Sequence, residues 1–308
     1  MFATVLGALP RPPGDSDDDE AVRTVIAAQE RAGLEALTDG RLRWKGARGP
    51  LTGLDGGRWR APLTVDAWRF AQSCSQSAVK QTLPGPYSLG RRLGGSSRDR
   101  RALTLRLAGA LHEEVRALAA AGCPLVEIDE PDAVALGDAA KERRLFIEAH
   151  HRLTGDTPPT HLSLLLTAGN VVGTESGTFL DVAYASYAVD LIAGPDNWRF
   201  VVDIPGDRGV VVGALGPAPD ADDSNEVLVW AAHYAAASGR RGLQRVGIAN
   251  APGLDAQDWG LVERKLARLG EAATLAAMSG EPLAGRLDPR AVDSRSAALG
   301  RYEPRRRP

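Results

Sequence analysis

The sequence predicts a single (β/α)8 barrel of the α/β class, and three observations carry that prediction. Eight short β-type apolar runs are spread along the chain, longer helical patterns lie between them, and 308 residues suit one large barrel with trimmings. The expected strands are residues 3–8, 34–38, 78–83, 124–129, 160–166, 185–192, 210–215 and 245–250. Runs such as Leu162 to Leu166 are apolar almost throughout, as strands buried on both faces of a parallel sheet must be. Between them, residues 18–32, 103–121, 133–153, 224–238 and 256–278 repeat apolar side chains at three and four spacing, the mark of helices packed on one face. Residues 41–63 are rich in Gly, Arg and Trp without a sustained period and are expected as a long loop after the second strand. The barrel is expected to occupy residues 1–284. An Arg-rich tail, 285–308, follows; its low apolar content is compatible with disorder or with wrapping the barrel or a partner.

Composition removes several function classes. With 44% hydrophobic and 25% charged residues the chain is an ordinary globular one. The 37 basic and 39 acidic side chains leave a formal charge of −2, so no global field holds a nucleic-acid backbone or an anionic membrane. No apolar run approaches the ~20 residues of a membrane span, and no basic-then-apolar leader opens the sequence, so a cytoplasmic location is expected. Cys74 and Cys123 are too few for a disulfide framework or a thiolate-rich zinc site and are expected as small buried hydrophobes. Lysine occurs only at positions 45, 80, 141 and 265, so most positive charge is arginine and single arginines count for little.

Reactive groups in such barrels stand at the C-terminal ends of the strands and in the loops that follow. Strand one runs into Arg11, strand two into Asp39, Arg41, Arg43 and Trp44, strand three into Lys80 and Tyr87, and strand eight ends at Asn250. Arg11, Arg41, Arg43 and Lys80 would converge on one rim, where arginine forks suit a carboxylate or phosphate; surface salt bridges are the alternative. Strand four ends Asp129-Glu130-Pro131, and because neighbours on a strand face opposite ways, one of the two carboxylates points into the mouth. His161 is the only histidine in an expected strand and is a candidate acid or base, or else a satisfied structural group. Dinucleotide, P-loop and nucleophile-elbow motifs are absent from the sequence.

Taken together, Leu9-Pro10-Arg11-Pro12, Thr38-Asp39-Gly40, Leu83-Pro84-Gly85-Pro86-Tyr87, Val126-Glu127-Ile128-Asp129-Glu130-Pro131 and, more weakly, Asn250-Ala251-Pro252-Gly253 resemble the catalytic domain of cobalamin-independent methionine synthase and its shorter relatives. The superfamily also holds uroporphyrinogen decarboxylase, and the resemblance runs in order along nearly the whole chain. It implies a zinc site of a His-x-Cys pair, a glutamate and a later cysteine, which in this sequence fall on His161-Leu162-Ser163, Ala193-Gly194 and Pro252. Of the positions that would grip the amino group of homocysteine, the family's serine is Ala8, its glutamate is Arg41 and only Asp129 is kept. The folate-stacking aromatic is displaced, with Tyr87 or Trp44 as substitutes, and Leu215-Gly216-Pro217 offers no histidine.

Arg41 in place of a glutamate reverses the charge that held an ammonium, so an anionic small molecule fits better than homocysteine. The expectation is a zinc-independent methyl or one-carbon transferase, with catalytic Asp129, His161 and Glu130 and with substrate held by Arg11, Arg41, Arg43, Trp44, Lys80, Tyr87 and Asn250. No tightly bound cofactor and no zinc are expected, and 5-methyltetrahydrofolate is the candidate methyl donor. A metal-free lyase or decarboxylase and a noncatalytic binding protein are the alternatives.

Overall fold

The computed structural model describes residues 1–278 apart from 15–16, 47–48, 52–53, 55–56, 157–158 and 222, so the tail beginning at residue 285 lies outside the described residues. Its strands are β1 (Phe2–Thr4), β2 (Ala36–Leu37), β3 (Ala78–Val79), β4 (Gln81–Pro84), β5 (Leu125–Asp129), β6 (His161–Leu166), β7 (Ser186–Asp190), β8 (Gly209–Leu215) and β9 (Val246–Asn250). The sheet order is β3-β2-β1-β9-β8-β7-β6-β5-β4, with every neighbouring pair parallel. Only Lys80 separates β3 from β4; the first half of this stave pairs with β2 and the second with β5, which closes the ring. The eight expected strands are therefore the eight staves of a TIM barrel.

The helices around it are α1 (Asp18–Arg31), α2 (Val65–Ser73), α3 (Pro86–Leu93), α4 (Ser97–Ala120), α5 (Ala140–Thr154), α6 (Gly177–Leu180), α7 (Trp198–Asp203), α8 (Asn225–Ala237) and α9 (Trp259–Ala276). Their starts are specified locally. Asp17 caps α1 by accepting from the Asp19 and Glu20 amides, and three acidic residues in its first turn suit the positive end of the helix dipole. Ser96 caps α4 and Asp258 caps α9 in the same way.

Two of the departures from expectation have a local cause. The helix expected over 133–153 is a 3-10 turn, Pro131–Ala135, followed by α5, because Gly137 takes φ +52° between them and breaks the helical path. β2 has only two ladder residues because α1 takes over its pairing: the Gln29 amide donates to the Thr38 carbonyl at 2.8 Å and accepts from the Thr38 N–H at 3.0 Å.

The main core lies between the strands and the helices, while Leu6, Leu165, Ala188, Val211 and Ala249, with Phe2 beside them, fill part of the barrel interior. That filling comes from β1 and β6 to β9. The β3 to β5 side carries charge instead. Among the described residues no helix is long and apolar enough to cross a membrane.

Candidate functional site

Alternation along β5 decides which groups meet inside the barrel. Glu127 and Asp129 share the inward face, and Ile128 and Glu130 point the other way into the helix layer. Glu127 receives the Lys80 ammonium at 2.7 Å and the Thr82 hydroxyl at 3.1 Å, and lies 3.8 Å from Nη2 of Arg41. Arg41 Nη1 then donates to Asp129 Oδ2 at 2.6 Å, and Thr167 approaches Oδ1 at 3.4 Å. The result is a buried column of alternating charge, Lys80, Glu127, Arg41, Asp129, climbing toward the C-terminal ends of the strands.

Arg41 reaches this position through an unusual backbone. Its φ of +57° lies in the left-handed region that non-glycine residues seldom enter, and its amide donates to the Asp39 carboxylate at 2.9 Å. The guanidinium packs over the Trp44 ring, 4.5 Å from its centroid, and the side chain is only 8% exposed. Its Nε and Nη2 are buried without a hydrogen-bond acceptor among the described residues.

Burial raises the Asp129 pKa above the ordinary carboxylate value against the opposing pull of Arg41. Burial likewise raises Asp39, opposed first by the hydrogen bond from the Arg41 amide. It lowers Lys80, with Glu127 acting in the other direction. Asp129 is thus a carboxyl that desolvation favours in its protonated form, set against a cation.

The structure separates the other expected site residues from this mouth. His161 opens β6 at the opposite end of the barrel: it pairs in register with Leu125, whereas Asp129 pairs with Leu165. Four residues of rise put the two levels ~13 Å apart. His161 bonds Ser186 Oγ at 2.7 Å, and burial lowers its pKa. It cannot share one reacting atom with Asp129, which corrects the expected acid–base pairing.

Glu130 is fully buried away from the mouth. It accepts from the Tyr87 and Ser88 amides, both at 2.8 Å, from the Ser88 hydroxyl, and meets His150 Nε2 at 3.1 Å. Gly85 makes room for it, since a Cβ there would sit 2.1 Å from the carboxylate carbon. Arg11 and Arg43 do not reach the column, because Asp18 and Asp19 at the start of α1 hold them in ion pairs. Tyr87 is buried in the helix layer with its hydroxyl donating to Glu142 at 2.8 Å, and burial raises its pKa well above the ordinary range. Asn250 spends its amide on the Leu6 and Ala251 carbonyls, at 2.8 and 2.9 Å, tying β1 to β9. Lys80 belongs to the barrel interior rather than the rim, donating also to the Val5 carbonyl at 2.8 Å.

Of the expected set, then, Arg41, Asp129 and Trp44 come together, and Lys80 joins them through Glu127. Sequence reasoning left out Glu127, Thr82 and Thr167. The two-residue spacing of Glu127 from Asp129 on one strand was the available signal for the first.

Comparison with known proteins agrees with this architecture. Residues 47–154 match the family described as cobalamin-independent synthase, catalytic domain. The methionine synthase of Saccharolobus solfataricus is 35% identical over 75 residues, which is 24% of this chain and 23% of the length of that protein. Over residues 47–154 the chain is similar to that catalytic domain. A B12-independent methionine synthase from Shewanella sp. W3-18-1, solved in complex with selenomethionine, superposes with a TM-score of 0.75 at 15% identity, over 97% of this chain and 100% of that one. A putative vitamin-B12 independent methionine synthase from Listeria monocytogenes gives 0.72 at 15% identity over 91% and 98%. A methyltransferase from Methanosarcina mazei gives 0.62 at 13% identity, over 89% and 94%. At these identities the likeness is one of fold.

The matched segment holds Lys80, Glu127 and Asp129; Arg41 precedes it and His161 follows it. Of the positions that the resemblance gives to zinc, His161 stands at the start of β6, and the others are Ser163, Ala193 or Gly194, and Pro252. Among the described residues no three His, Cys, Asp or Glu side chains are grouped to hold a metal ion, and burial pushes the Cys123 thiol up to about 12.

Proposed function

We propose that this barrel is a zinc-independent transferase of methyl or other one-carbon units, acting on an anionic small molecule rather than on homocysteine. The observation that carries the proposal is the buried Arg41 guanidinium with two nitrogens unspent beside a carboxyl of raised pKa. With Asp129 protonated, the column holds two cations, Lys80 and Arg41, against the single anion Glu127, and the mouth then favours a negative ligand. Arg41, backed by the Trp44 ring, binds that charge, Asp129 orients the acceptor, and 5-methyltetrahydrofolate is the candidate donor.

A methyl transfer breaks the donor's bond to the methyl carbon and forms the acceptor's bond to the same carbon. One proton moves from the acceptor to the departing donor nitrogen. Asp129 is the group suited to handle it, since burial brings its pKa toward the working range of a general acid or base.

The test is thermal unfolding with 5-methyltetrahydrofolate, its triglutamate form and tetrahydrofolate, on the wild-type chain and on Arg41→Met. A ligand at ~100 times its Kd adds ~2.7 kcal/mol of stability, a shift of a few degrees for a barrel of this size. The expected result is a shift in the wild type that Arg41→Met abolishes. No shift with any folate overturns the donor assignment. Release of carbon dioxide from a carboxylated substrate without a methyl donor assigns the same Arg–Asp pair to a lyase.

A further inference from the structure

The barrel is open at its other end as well. A cavity of about 340 Å³ enters between the strand starts Phe2, Ala36, Leu125, His161, Ser186 and Gly209 and reaches inward as far as Lys80, Glu127 and Ser163. Small residues explain the opening: Ala36, Ser186 and Gly209 stand where bulky branched side chains commonly fill a barrel. The volume equals roughly eleven waters at ~30 Å³ each, enough for a small polar metabolite.

Its polar groups lie at two levels. At the inner end Lys80 uses two of its N–H bonds on Val5 and Glu127, and an ammonium has three. Ser163 is 3% exposed and its hydroxyl bonds to no described residue; His161 engages Ser186 through Nε2 and leaves Nδ1 free. Glu127 does not repel an anion with its full charge, because Lys80, Thr82 and Arg41 already share it. At the rim, Asp207 lines the opening with a carboxylate that has no ion-pair partner among the described residues, and Gln244 and Arg245 line it too, Arg245 donating to the Gly206 carbonyl at 3.2 Å. Two donors lie deep, and the rim offers a free carboxylate as acceptor. From the strand-start level of Leu125 to the Glu127 level is two residues of strand, or ~7 Å.

We propose that this cavity is a second binding site, separate from the Arg41–Asp129 mouth, for a small zwitterionic amino acid. Its carboxylate meets Lys80, Ser163 and His161, and its ammonium meets Asp207. The span suits a linear ω-amino acid better than glycine. The site does not depend on which reaction the mouth performs.

The test is calorimetric titration of the full chain with 4-aminobutyrate, with glycine, acetate and propylamine as comparisons. 4-Aminobutyrate is expected to bind, and acetate and propylamine to bind at least tenfold more weakly. Ser163→Ala and Asp207→Asn each weaken binding tenfold or more while melting with the wild type, since neither side chain bonds a described residue in the free protein. Asp129→Asn, at the other end of the column from Lys80, changes it by less than threefold. Absence of binding by every amino acid tried, equal binding of acetate, or binding lost in Asp129→Asn but kept in Ser163→Ala and Asp207→Asn, overturns the proposal.

Discussion

Replacing Glu130 by alanine separates an architectural carboxylate from a chemical one. Its side chain accepts from two backbone amides at the start of α3 and from the Ser88 hydroxyl, and it contacts His150, all with no exposure to solvent. The helix it starts is eight residues long and has no side-chain cap of its own, since its N-cap is Gly85. Truncation orphans the Tyr87 and Ser88 amides and the His150 nitrogen; the Ser88 hydroxyl, which also accepts from the Asp132 amide at 3.0 Å, can turn elsewhere. At ~1–3 kcal/mol for each stranded buried donor, three of them cost ~3–9 kcal/mol, and water entering the space left brings the expectation to the lower half. That is a large part of the ~5–15 kcal/mol by which a domain is stable. Urea denaturation is the assay, with an unchanged slope and a midpoint moved down by the corresponding amount. Glu130→Gln keeps one acceptor oxygen and falls between the two. Stability of Glu130→Ala within ~1 kcal/mol of wild type refutes the anchoring role and returns Glu130 to the list of catalytic candidates.

Tyr87→Phe removes a hydroxyl whose acceptor, Glu142, stays paired with Arg100, so it costs ~1 kcal/mol in denaturation and leaves any folate-induced thermal shift intact. A lost shift at normal stability puts Tyr87 in the mouth after all. Asp129 makes stability depend on pH in a definite direction. Its folded pKa lies above its unfolded one, so its contribution is fully present below the unfolded value and is lost as pH rises through the folded value. Denaturation midpoints measured across the acidic range should show this decline in the wild type and a flatter profile in Asp129→Asn. Identical profiles contradict the burial argument.

The barrel was legible because its signal repeats: each of the eight staves is an apolar run that falls within two to four residues of its observed place, and the intervening helices carry a 3.6 period. The site was legible only where strand alternation and loop position agreed, as at Asp129 and Arg41. His161 failed because sequence spacing gave its strand but not its level, and the register with Leu125 puts it at the first residue of β6. Arg11 and Arg43 failed for an electrostatic reason that local sequence does contain. Three consecutive acidic residues open α1, and two of them take these arginines before the mouth can. The expectation that zinc is not used, by contrast, rests only on the family resemblance.

The adjacent pair Asp129-Glu130 shows how one strand end supplies both chemistry and architecture. Because the two side chains leave opposite faces of β5, the first ends in a charged column inside the barrel and the second in the helix layer, under α3 and against α5. Each is buried, but the compensation differs. Glu130 is saturated by protein donors, so nothing is left for a ligand to do. Asp129 faces one guanidinium and a distant hydroxyl, and that guanidinium keeps two nitrogens without acceptors. An incompletely satisfied buried polar pair costs stability unless something completes it. The natural completion is an anion on Arg41 with a proton on Asp129. Tight binding of an anion at this mouth should therefore take up a proton, and titration in buffers of different ionisation enthalpy measures that uptake directly. An anion that binds through Arg41 with no proton exchanged would mean that Asp129 is already neutral in the free chain.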